Sequence, residues 1–196
     1  MHKINFITSN QGKMKALENS LKLHNLNIKI SCKNLEITEP QFDTVHEVSK
    51  YKALKAYECL KESVLVEDGG LSIFALKGFP GVYTKYIIKT LGADGILKLL
   101  TGVKNRTARF ISVTTFVDND GKVFQFEREG GEFEISNQKV DIDSPFAWSE
   151  LWKIIYLKEY QKNLCQLSEK ELFDFYEKNG KNGSIQKFVK WYAQNI

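Results

Sequence analysis

Two adjacent carboxylates, Glu67 and Asp68, follow the apolar run Val64, Leu65 and Val66 and precede the glycine pair Gly69 and Gly70. Acids at the end of a buried-type strand, beside a glycine turn, are where open α/β proteins place ligand or metal chemistry. The same window also reads as an acidic turn that keeps a hairpin soluble. A second apolar run, Leu71 to Leu76, breaks at Gly78, and Pro80 with Gly81 predicts a rigid turn. The other chemistry-bearing window is N-terminal. Lys3 to Thr8 reads as a strand and runs through Ser9, Asn10, Gln11, Gly12 and Lys13 into an amphipathic helix. A polar loop with a lysine at a helix start offers backbone N–H groups and the positive dipole end, which suits a phosphate. TSNQGK lacks the glycine spacing of a P-loop or dinucleotide fingerprint, and Ser9 or Asn10 serves equally as a simple helix cap.

The elements that must position these groups read as mixed α/β. Met14, Leu17, Leu21 and Leu23 recur at helical spacing opposite Lys15, Glu18 and Lys22, predicting a helix over 13–25. Thr44 followed by Glu47 is a capping-box pattern opening a helix through about Leu60, with Val45, Val48, Ala53, Leu54 and Ala56 as its packed side. Lys50, Lys52, Lys55 and Lys61 then form a solvated face. Glu39 lies beside Pro40 in a loop, either able to close over a metal or simply surface. Further helices are expected over 83–101 and 147–192. Residues 107–117 and 122–135 flank the turn Asp118 to Gly121, a hairpin signal, with Gly130 and Gly131 bending the second arm.

A chain of 196 residues, 42% hydrophobic and 12% aromatic, buries a real core and fits one domain over 1–196. A net charge of +4 with interleaved lysines and glutamates, and no basic-aromatic stripe, argues against a nucleic-acid partner. No apolar stretch reaches membrane-spanning length, so a soluble, cytoplasmic protein without a membrane partner is expected. Cys32, Cys59 and Cys165 suggest neither a disulfide framework nor a zinc site. His2, His24 and His46 read as surface residues.

Taken together, TSNQGK at 8–13 and VLVEDGGLSIFALKGFPGVYTKY at 64–86 resemble the opening T-x-N-x-x-K block and the central acidic, G-x-P-G-x-Y block of the inosine triphosphate pyrophosphatase family. The resemblance covers residues 1 to about 135. It implies a long twisted mixed sheet flanked by helices, in two lobes with a central cleft. It also implies metal-dependent hydrolysis of aberrant purine nucleoside triphosphates such as ITP, dITP and XTP to the monophosphate and pyrophosphate. Neutralising a triphosphate of about four negative charges while admitting water to the α-phosphorus calls for a divalent cation plus lysines.

By resemblance, Glu39 and Asp68 match the metal-side and catalytic acids for Mg²⁺ or Mn²⁺, with Asp68 orienting or deprotonating the water. Thr8, Asn10, Lys13, Lys52 and Lys89 match the triphosphate contacts, and a homodimer is implied. The family's base-holding blocks, an aromatic-glycine-Trp-Asp-Pro run and a Lys-Asn followed by Ser-His-Arg, are altered here. Phe146 and Trp148 can stack on a purine, but Ser149 and Glu150 replace Asp and Pro. Placing Lys181 and Asn182 on Lys-Asn sets Ile185, Gln186 and Lys187 on Ser-His-Arg, so a planar two-donor arginine becomes at best a point-charge lysine. Altered base specificity, or a nucleotide sensor without turnover, follows as an alternative. For Trp148, Leu151 and Trp152, ordinary helix core is the competing reading. A structural or nucleic-acid-binding protein would instead show salt-dependent oligonucleotide binding without hydrolysis.

Overall fold

The computed structural model describes residues 3–128 and 131–195. In chain order the elements are β1 (Lys3–Ile7), α1 (Gln11–Leu23), β2 (Lys29–Lys33), α2 (Val45–Leu60), β3 (Val64–Ile73), β4 (Pro80–Gly81), α3 (Thr84–Leu99) and β5 (Thr107–Val117). Then come β6 (Val123–Glu127), β7 (Glu132–Ile135), β8 (Ile155–Leu157), β9 (Lys162–Asn163), α4 (Glu169–Gly180) and α5 (Ser184–Asn195). Short 3₁₀ turns occupy Phe74–Leu76, Glu150–Lys153 and Leu164–Gln166. The strands form one nine-stranded mixed sheet in the order β2-β1-β3-β5-β7-β8-β9, with β4 added to β3 and β6 to β5. Pairing is parallel from β2 to β1 to β3 and antiparallel from β5 through β9.

The chain divides into two compact units, the first being 1–69, 111–129 and 180–196 and the second 70–110 and 130–179. In the first unit, strand side chains alternate between two helical layers because a strand's side-chain period is two. Ile4, Phe6, Leu65 and Phe116 pack on Leu17 and Leu21 of α1 and on Ile185, Phe188, Val189 and Tyr192 of α5. Ile7, Val64, Val66 and Val117 pack instead on Ala53 and Ala56 of α2. Phe188 is fully buried, and truncating it to Ala would cost about 3–5 kcal/mol. The second unit gathers Leu71, Ile73, Ile96, Ala108, Phe133 and Trp152 into its own core.

Several boundaries differ from those the sequence predicts. Gly69 and Gly70 do not end a strand, because β3 runs through them to Ile73. Their small size serves close approach: a Cβ on Gly70 would lie 2.1 Å from the Gly81 carbonyl oxygen. The apolar run Leu71 to Leu76 is therefore the tail of the same strand followed by a 3₁₀ turn. The helix expected over 83–101 breaks at Gly92, whose φ of 68° and ψ of −174° only glycine adopts readily.

No continuous helix spans 147–192 either. The β-prone Ile155–Leu157 pairs with β7, Gln161 turns through the left-handed region at φ 52°, and α4 and α5 are separate. Leu151 and Trp152 are core residues, but they sit on a 3₁₀ turn. Leu23 is exposed rather than packed. The second hairpin arm is two strands, β6 and β7, which pair with different halves of β5. Gly131 has φ 76°, while Gly130 and His2 lie outside the described residues. His46 is partly exposed and reaches Glu127 at 3.3 Å, while the Nε2 of His24 is buried rather than at the surface. All three cysteines are free, and none of the described helices is long and apolar enough to cross a membrane.

Candidate active site

The alternation of β3 separates its two acids. Leu65 packs toward α1 and α5, so Glu67, two residues on, emerges on that face, whereas Val66 and Asp68 face α2. Glu67 is fully engaged. Its Oε2 pairs with Lys13 Nζ at 2.7 Å and its Oε1 accepts from Ser112 Oγ at 2.6 Å. Lys13 Nζ also donates to the Glu67 carbonyl oxygen at 2.6 Å, which fixes the lysine against the strand.

Asp68 is only half engaged. Its Oδ1 accepts from Lys52 Nζ at 3.1 Å, and Lys52 also pairs with Glu39 Oε1 at 3.0 Å. The Oδ2 of Asp68 is buried and has no hydrogen-bond partner among the described residues. Burial pushes the Asp68 carboxyl above its usual range, overcoming the opposing pull of Lys52 and Lys13. On Lys52 burial acts downward, but Asp68 and Glu39 outweigh it and hold the ammonium above its ordinary value. A carboxylate with one anchored and one free oxygen, and raised basicity, is equipped to take a proton.

Three hydroxyls with no assigned role in the sequence complete the Glu67 face. Ser112 and Ser184 share a hydrogen bond at 2.7 Å between hydroxyls, and Thr114 Oγ1 donates to Ser184 Oγ at 2.9 Å. Ser112 and Thr114 stand two apart on β5, and their polarity on a face otherwise filled by Phe116 was the available signal. Ser184, the first residue of α5, is the α5 residue that reaches this network, whereas Ile185 turns into the core.

The loop after β1 is built as a cap. Asn10 Oδ1 accepts from the backbone of Gly12 at 2.8 Å and of Lys13 at 3.3 Å, while Thr8 Oγ1 accepts from Asn10 N at 3.0 Å. The backbone N–H groups of Asn10, Gly12 and Lys13 are thus committed to the cap, and Lys13 Nζ is held by Glu67. The cap reading holds, and the cap fixes the start of α1 and thereby Lys13.

The other predicted residues fall elsewhere. Lys89 is exposed on the first half of α3, in the second unit. Phe146 and Trp148 are exposed there too, with Trp148 edge-on to Phe110 at 5.6 Å. Beside Trp148 is a cavity of about 520 Å³ lined also by Ile142, Ala147, Ser149 and Glu150. Ser149 Oγ caps the 3₁₀ turn by accepting from Leu151 N at 3.2 Å. Glu150 accepts from Ala93 N at 3.1 Å and so caps the second half of α3 after Gly92. Lys181, Gln186 and Lys187 belong to the first unit, around the start of α5. Gln186 folds back toward its own helix start, its Oε1 2.4 Å from where a Cβ on Gly183 would sit.

No cluster of three or more His, Cys, Asp or Glu able to hold a metal occurs among the described residues. Asp68 and Glu39, joined through Lys52, nonetheless fit a magnesium-type ion, which needs only one or two carboxylates when substrate oxygens and water fill its other positions. The orphaned Asp68 Oδ2 has two lone pairs, so one would serve such an ion while the other stays open to a proton.

A family model described as the Ham1 family matches residues 4–173. A dITP/XTP pyrophosphatase of Methanopyrus kandleri is 40% identical over 207 residues, covering 99% of this chain and 98% of that protein. One of the same name from Ignicoccus hospitalis is 41% identical over 123 residues, 62% of this chain, and the match spans 64% of its length, just under two thirds. The fold matches a HAM1 protein from Coxiella burnetii with a TM-score of 0.81 at 19% identity, covering 99% of this chain and all of that one.

Proposed function

Because the chain belongs to the Ham1 family, we propose that it hydrolyses deaminated purine nucleoside triphosphates such as ITP, dITP and XTP to the monophosphate and pyrophosphate. Relatives bearing the name dITP/XTP pyrophosphatase support the substrate class. The observation that carries the chemistry is the buried, unpartnered Oδ2 of Asp68 on a carboxyl held by Lys52.

Water enters beside Asp68, whose Oδ2 takes its proton while Lys52 fixes the carboxyl through Oδ1. The water oxygen bonds to the α-phosphorus, the bond from that phosphorus to the α–β bridging oxygen breaks, and pyrophosphate leaves. Lys13 meets the phosphates from the start of α1, with Thr8 and Asn10 lining its loop. Asp68 and Glu39 would hold Mg²⁺, or Mn²⁺ in its place, which supplies neutralisation of phosphate charge. Lys52, between those two acids, keeps them from repelling one another before the cation arrives. The resemblance adds a homodimer, which light scattering tests.

A second reading, the same hydrolysis with altered base preference, is supported by Ser149 and Glu150, both committed to local capping rather than to a ligand. Pyrophosphate release measured over a panel of purine and pyrimidine triphosphates with Mg²⁺ decides between them. Preference for ITP and XTP supports the first reading, preference for another base the second, and no turnover on any triphosphate refutes both.

A further inference from the structure

Arg128 is a cation for which the proposed mechanism has no use. It follows β6 directly, and its backbone N–H donates to the Ser112 carbonyl at 2.9 Å, continuing the antiparallel register in which Val113 faces Glu127 and Thr114 faces Phe126. Residues directly opposite in such a pair project from the same face. Phe124 and Phe126 confirm which face this is, since they pack on Trp191 and Phe188 of α5. Arg128, the next residue in that alternation, thus emerges beside Ser112, whose hydroxyl already links Glu67 to Ser184.

Arg128 makes no ion pair among the described residues, and its Nε is buried without a hydrogen-bond partner. The acids nearest in the network are committed: Glu67 to Lys13 and Ser112, and Glu127 to His46 on the opposite side of the strand. Burial lowers the pKa of Arg128, and no carboxylate among the described residues offsets it. A partly buried guanidinium is costly to leave unpaired, and its planar fork is shaped for the oxygens of an anion.

We propose that Arg128 binds the phosphate chain of the substrate, forming with Ser112, Ser184 and Lys13 an anion subsite on the α1/α5 face of the sheet. A phosphate is favoured over a base carbonyl because Arg128 and Lys13 set two cations against the single carboxylate of Glu67, an excess of positive charge that a neutral carbonyl does not offset. Lys13, on the far side of Glu67, would hold the same chain from its other flank. This assignment deepens the pyrophosphatase reading and rests on it for the identity of the anion.

The test compares wild type with Arg128→Ala and Arg128→Lys, measuring kcat and KM for ITP, inhibition by inorganic tripolyphosphate, and melting temperature. Arg128→Ala should raise KM for ITP and weaken tripolyphosphate about tenfold or more, as expected for loss of a charge-assisted contact. Its kcat should change far less, and the ratio of ITP to ATP efficiency should stay constant. Arg128→Lys should recover part of the affinity, and added guanidinium ion should partly rescue the alanine variant. Unchanged tripolyphosphate affinity overturns the proposal, whether the variant merely melts earlier or shifts base preference instead. If Arg128→Ala does not fold, Arg128→Lys and Arg128→Gln carry the same comparison. Should the wild type hydrolyse no triphosphate, the pyrophosphatase reading fails separately, and calorimetric titration of tripolyphosphate into wild type and variant still decides the role of Arg128.

Discussion

Glu67 and Asp68 are neighbours in sequence, yet strand geometry gives them opposite surroundings. Glu67 spends both oxygens, one on Lys13 and one on Ser112, and holds a lysine in place. Asp68 spends one oxygen on Lys52 and keeps the other buried and free, with its carboxyl held above the usual range by burial. Glu67 keeps no uncommitted oxygen, whereas Asp68 does and has raised basicity, the combination the proposed hydrolysis requires of its base. In that proposal one face of the sheet anchors and the other reacts.

Asp68→Asn should break this arrangement most severely, keeping the shape and removing the base. A loss of about 10²–10⁴-fold in kcat is expected, measured as pyrophosphate release. Lys52→Met comes next. Without the ammonium that pulls the Asp68 carboxyl down, the acid limb of the kcat profile should move to higher pH and turnover at neutral pH should fall about tenfold or more.

In the metal-free protein Asp68 itself should titrate above the ordinary aspartate range, because burial raises its folded pKa. The sign for stability is the reverse of a salt-bridged aspartate. Folded Asp68 holds its proton more tightly than unfolded, so its contribution to stability falls as pH rises from the ordinary aspartate range through the raised value. Chemical denaturation at several pH values, with Asp68→Asn lacking that component, checks it.

Glu67→Gln sharpens the other side of the comparison. It should loosen Lys13 and raise KM by no more than about tenfold, with kcat nearly retained. The smallest effect belongs to Thr44→Ala, which removes the cap of the helix that carries Lys52. It should cost about 1 kcal/mol of stability by denaturation and leave kcat essentially unchanged.

The parts legible in the sequence were those fixed by local rules. Thr44 and Glu47 form the capping box their spacing predicts, and Asn10 caps α1 as its side-chain type suggests. The Asp118–Gly121 turn joins β5 to β6 as the hairpin signal requires. Glu39, Lys52 and Asp68, far apart in the chain, do meet; Asp68 stood out from its own strand-end window, but only the family resemblance singled out Glu39 and Lys52 from other surface acids and lysines.

What the sequence hid depended on distant partners. Gly69 and Gly70 look like a stop, yet Gly70 is small because Gly81 crosses it, 11 positions later. Glu150 looks like a damaged ligand position, yet it caps a helix broken at Gly92. Ser112, Ser184 and Arg128 carry no motif, and only the register of β5 with β6 and the start of α5 draws them toward Glu67.

Pyrophosphate release from ITP with Mg²⁺, measured side by side for wild type, Asp68→Asn and Glu67→Gln, tests the division between the two acids most directly. The free oxygen of Asp68 predicts a kcat loss of at least about 100-fold in Asp68→Asn and a kcat within a few-fold of wild type in Glu67→Gln. Equal losses in the two variants, or a larger loss in Glu67→Gln, would contradict the assignment of Asp68 as the base.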